Sequence, residues 1–65
     1  MRLEINIGDR YKDTLRNIEV KIIGIYTGEK KAMVQFLRNG EVVEQKKMYC
    51  CYIEDLIENG LWKRS

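Results

Sequence analysis

Gly8-Asp9-Arg10-Tyr11-Lys12-Asp13, followed by the run from Asn17 to Tyr26, is the stretch from which the fold is read. Arg10-Tyr11-Lys12 is a short extended segment, and the polar residues 13–17 are a turn. Ile18-Glu19-Val20-Lys21-Ile22 then alternates apolar and charged side chains. That period of two sends one set to a buried sheet face and the other to water. At Ile22-Ile23 the alternation slips by one residue, and Ile23 and Ile25 continue on the other parity, with Gly24 in the slip. An extra residue kinks a strand, and glycine tolerates unusual φ/ψ, so the slip predicts a β-bulge. A long strand bent in this way serves both halves of a very small β-barrel.

The flanking segments complete the pattern. Upstream, residues 1–7 alternate, with Leu3, Ile5 and Ile7 on one parity, which predicts a first strand or an extended arm. Downstream, Thr27-Gly28-Glu29-Lys30 is a hairpin turn, and residues 31–37 are the next strand, with Ala32, Val34 and Phe36 on one face. Asn39-Gly40 lies between two apolar runs and suits a type I′ turn, in which both central residues need positive φ. Residues 42–48 return as its partner strand. Residues 49–59 change period: Tyr49, Ile53, Leu56 and Ile57 fall on one helix face, with Cys50 near it. Gly60 stands where the left-handed residue closing a helix belongs, and Leu61 would touch Leu56 in that motif. Leu61-Trp62-Lys63 is a short closing strand. The expected fold class is mainly β, a small barrel of about five strands with one short helix before the last.

Length and composition bound what such a chain can do. With 65 residues it is one domain, and a domain of this size buries only about 60% of the surface its unfolded chain exposes. Most apolar side chains therefore serve the core, and a deep, drug-sized cavity is not expected. Ile22-Ile23-Gly24-Ile25-Tyr26 is the longest apolar stretch, far short of the roughly 20 residues of a membrane span. The opening Met-Arg-Leu-Glu-Ile-Asn has no apolar core of a signal peptide, so a cytoplasmic protein without membrane attachment is expected. Cys50 and Cys51 are adjacent, too few and too close for a disulfide framework, and read as reduced thiols.

Gly8-Asp9-Arg10-Tyr11-Lys12-Asp13, Val20-Lys21-Ile22, Met33-Val34-Gln35-Phe36, Asn39-Gly40 and Tyr52-Ile53-Glu54-Asp55-Leu56 together resemble small phage and prophage proteins of the SH3-like barrel fold, most of them of unknown function. The resemblance covers roughly residues 8–62 and rests on turn placement and apolar pattern. In those barrels a single turn often sits where this chain has room for a longer helix. The resemblance implies an SH3-like barrel, no catalytic residues, and a gene from a phage or mobile element whose product binds and modulates host machinery.

The chemistry-bearing residues point the same way. With no histidine, a Ser-His or Cys-His pair is impossible, and the five glycines are dispersed at turns and form no phosphate loop. Without histidine or a third cysteine, a structural zinc site lacks ligands. The expectation is a protein that is not an enzyme and has no catalytic residues, cofactor or metal. A non-catalytic interaction module binding a protein partner is the leading reading. Tyr11 and Tyr52, beside Trp62, would make an aromatic groove, and the acidic helix residues Glu54, Asp55 and Glu58 a second surface. The bland alternatives are a core plug for Trp62 and a solvated helix face for the carboxylates.

Nucleic acid is the alternative partner. Net charge is +2; residues 1–49 carry ten basic and seven acidic side chains, residues 50–65 two and three. Arg10, Lys12, Lys30, Lys31, Arg38, Lys46 and Lys47 would track a backbone near the hairpin tips, with Tyr11, Tyr26, Tyr49 and Tyr52 as stacking platforms. Against this, lysines also guard exposed edge strands, and a small core claims most aromatics. Oligomeric state is open, because the exposed edge cannot be located from sequence.

Overall fold

The computed structural model describes residues 5–65. Five strands and one helix follow in the order β1 (Arg10–Asp13), β2 (Ile18–Tyr26), β3 (Lys31–Arg38), β4 (Glu41–Tyr49), α1 (Cys50–Glu58) and β5 (Trp62–Arg64). The strands form one antiparallel sheet in the order β4-β3-β2-β1-β5. β4 and β5 are its two edges; among the described residues no ladder joins them, so the sheet is open along that seam. Of the strand or arm expected over residues 1–7, residues 1–4 lie outside the described residues. Ile5 to Ile7 are not a strand. They lead into a turn closed by Asp9, whose Oδ2 accepts from the Asn6 N–H at 2.9 Å.

The period-two pattern of β2 and β3 is the core. Tyr11, Ile18, Val20, Ile22, Ala32, Val34, Phe36, Ile53 and Trp62 are buried together. The slip in β2 is a bulge: Ile22 pairs with Val34 and Gly24 with Met33, leaving Ile23 as the extra residue. A second shift separates Phe36↔Glu44 from Leu37↔Val42 and leaves Val43 over. Asn39 (φ 53°) and Gly40 (φ 82°) are both left-handed, as a type I′ turn requires.

The helix is held at both ends by backbone. Tyr49 is its N-cap without a side-chain bond, and the Cys50 N–H instead donates to the Lys30 carbonyl at 2.9 Å. At the other end Gly60 (φ 75°) donates to the Ile57 carbonyl at 3.1 Å and Leu61 to the Leu56 carbonyl at 2.9 Å. These are the two bonds of the Schellman motif. Ile53 is the helix residue driven fully into the core; Tyr49, expected on that face, is exposed.

Candidate interaction surfaces

The open seam carries a groove of about 250 Å³. Phe36 and Trp62 lie at its base, Met48, Leu56 and Leu61 form apolar walls, and Leu15, Arg16, Lys46 and Tyr52 stand around it. Trp62 is only 2% exposed, its ring 6.1 Å from Tyr11 and, edge-on, 6.1 Å from Phe36. It is a core plug whose edge reaches the groove. Leu15 and Tyr52 are 76% and 54% exposed. The volume falls below the roughly 300–1,000 Å³ of small-molecule sites, and suits one or two side chains of a peptide.

Ion pairs fix one wall. The Asp13 carboxylate accepts from the Leu15 and Arg16 N–H groups at 3.0 and 3.1 Å and from Arg16 Nε at 3.3 Å. Burial pushes its pKa up, but the bonds from the Arg16 backbone, its guanidinium and the Leu15 N–H outweigh burial and hold it below the ordinary carboxylate value. Arg16 is thereby laid over the Phe36 ring, 4.5 Å from its centroid, and reaches Glu44 at 3.5 Å. Lys46 also lies over Phe36, at 5.6 Å, and pairs with Glu44 at 3.4 Å. Charge in the groove is balanced, and with Phe36 and Trp62 buried the apolar surface a partner would meet is that of Leu15 and Tyr52 and the walls between them.

Tyr11 is not at this surface. It is fully buried, donating to Asp9 Oδ2 at 3.3 Å and accepting from Arg64 Nη2 at 3.2 Å. Its ring offers no exposed face to a partner or a base, which corrects the expectation of an aromatic groove built on Tyr11. Burial first, then the Asp9 carboxylate, raises its pKa, with Arg64 pulling the other way. Glu54 and Glu58 lie on the far side of α1 from Tyr52. Those two carboxylates and the groove are therefore separate surfaces, whereas Asp55, three residues after Tyr52, stands beside it on the helix. Asp55 and Glu58 are exposed; Glu54 is partly buried and, after burial itself, helps raise the Cys50 thiol pKa.

The basic residues named from sequence do not gather at one tip. Lys30 and Lys31 lie at the β2–β3 turn, Arg38 at the β3–β4 turn, at opposite ends of β3. Lys46 and Lys47 point to opposite sides of the sheet, as neighbours in a strand must. Lys46 pairs with core-facing Val34 and lies over Phe36; Lys47 pairs with Met33 on the outer side and lies 4.4 Å over Tyr26. Register places Arg10, Lys12, Lys21, Lys31, Lys47 and Lys63 on that outer side, with Tyr26 and Tyr49. Lys21 and Lys63 were missed because only pairing with β1 reveals their neighbours. Leu15 was missed too; its signal was a lone large apolar residue in a polar turn.

Among the described residues no three His, Cys, Asp or Glu side chains group as a metal would need, and no helix is long and apolar enough to cross a membrane. In comparison with protein-family models, curated proteins and solved structures, the chain matches none.

Proposed function

We propose that the chain is a non-catalytic interaction module that takes an extended segment of a protein partner at the groove between β4, the β1–β2 turn and α1. The observation that carries this reading is the open seam. Two exposed apolar side chains, Leu15 and Tyr52, flank a base of Phe36 and Trp62, and β4 beside them is an edge with no partner strand among the described residues. A partner segment would lay an apolar side chain between Leu15 and Tyr52, against Leu56 and Leu61, while its backbone pairs with β4, combining pocket recognition with strand addition. The strand order and the helix before the last strand support a finer reading as an SH3-like small barrel left open at this seam. The resemblance to phage and prophage barrels supports placing such a module in a phage or mobile element, acting on host machinery.

The test is selection of peptides from a displayed random library. Wild-type protein should enrich sequences sharing an apolar anchor. A Leu15→Asp, Tyr52→Ala double variant that still folds should lose at least tenfold in affinity for them, and Tyr49→Ala, on the other side of the sheet, should not. No enriched sequence, or enrichment indifferent to the double variant, would sink the proposal.

A further inference from the structure

We propose that the outer side of the sheet binds a single-stranded nucleic acid, its phosphates held by Arg10, Lys12, Lys21 and Lys63 and a base stacked on Tyr49. The register carries the inference. Arg10 is directly opposite Lys21, and Lys12 directly opposite Lys63. Like charges directly opposite across antiparallel strands destabilise a sheet. Here two such pairs are adjacent, two residues apart on β1, and Glu19, directly opposite Lys12 on β2, is the one acidic strand residue to offset them, leaving four cations against one carboxylate. None of these four cations lies within ion-pair distance of a carboxylate among the described residues, whereas Arg16, Lys46, Lys47 and Arg64 all do. A polyanion would turn this repulsion into attraction.

The same side also carries an aromatic end. The row Tyr26↔Lys31↔Tyr49 spans β2, β3 and β4, with Lys47 one row away. Tyr49 is 56% exposed, and Lys31 lies 4.8 Å over its ring. Gln35 and Gln45, hydrogen-bonded to each other at 3.0 Å, fill the row that continues to Lys21 and Arg10. Cations leading to an exposed ring are what unpaired nucleotides need, since any base can stack on a ring. A duplex offers no free base face to Tyr49. The partner is therefore single-stranded, and this surface is separate from the groove.

The experiment is fluorescence anisotropy of a labelled mixed-sequence single strand titrated with the full chain at two salt concentrations. Four phosphate contacts on a single strand predict a loss of about fifty-fold in affinity when salt rises fourfold. Arg10→Ala with Lys63→Ala should halve the salt slope. Tyr49→Ala should weaken binding and leave the slope unchanged, and Leu15→Asp with Tyr52→Ala should change neither. Lys63→Ala supplies a readout independent of binding: with the like-charge pair gone, its melting temperature should rise while affinity falls. The proposal is overturned by no binding at the lower salt, by a duplex or poly-glutamate binding as tightly as the single strand, or by a fall in Lys63→Ala melting temperature.

Discussion

Asp13 is the buried charged side chain among the described residues, and its bonds organise the turn that carries Leu15 and Arg16. Its pKa is lower folded than unfolded, so the unfolded chain takes up the proton first. The stability it contributes is present above the unfolded value of about 3.9 and is lost as pH falls through the lower folded value. Asp13→Ala should therefore cost about 1–3 kcal/mol at neutral pH, because two backbone N–H groups lose their acceptor. In urea unfolding the gap between wild type and variant should narrow once the pH is below the folded value. A gap that persists unchanged in acid would mean that the carboxylate's charge contributes nothing. None of this was legible from sequence beyond a polar turn at 13–17, since the burial of Asp13 between Ile18 on β2 and Trp62 on β5 follows from strand pairing.

At the scale of elements, features set by backbone chemistry over a few residues were legible. Asn39-Gly40 and Gly60 adopt the left-handed conformations their positions imply. The slip in β2 marked the bulge, but Gly24 is not its conformational cause. Gly24 has no positive φ, and a Cβ there would meet Met33 Cβ at 3.5 Å, ordinary contact. The bend comes from Ile23 as a supernumerary residue. At the β2–β3 turn, read from its glycine and polar content, the left-handed position falls not to Gly28 but to Lys30, at φ 57°. An L side chain there costs roughly 1–2 kcal/mol, partly offset in a glycine by a freer unfolded chain. Lys30→Gly should therefore raise the urea midpoint by up to about 1 kcal/mol equivalent. A lower midpoint would show that the lysine side chain contributes more than its backbone loses.

At the scale of the whole molecule, legibility ended where pairing partners were needed. The parity of Ala32, Val34 and Phe36 identified a buried face, yet the strand order that leaves β4 and β5 as edges is a property of contacts far apart in sequence. The groove at that seam was therefore out of reach, although Tyr52, one of its members, was named. Tyr11 was misplaced for the same reason. Register puts it on the core-facing side of β1, opposite buried Val20 and 6.1 Å from the Trp62 ring, whereas Arg10 and Lys12 on the same strand face outward. The basic residues were visible as residues, but their division between the two sides of the sheet follows from register alone.

The contrast between the pairings of β2, β3 and β4 and that of β1 with β5 has a kinetic consequence. The first three strands are joined by short turns; Tyr11 and Arg64 pair across 53 positions of chain. Closing the longer loop costs more chain entropy, so the meander is favoured to nucleate and β5 to dock late. A change in the Asn39-Gly40 turn should then mainly slow refolding, while a change in β5 that weakens its docking should mainly speed unfolding. Stopped-flow measurement of Gly40→Ala and Lys63→Pro, read as both limbs of a chevron, would show the division. If the two variants moved the same limb, the sheet would instead assemble around its longest-range pair. Trp62, the single tryptophan, sits on the late strand and is the natural reporter of that last step.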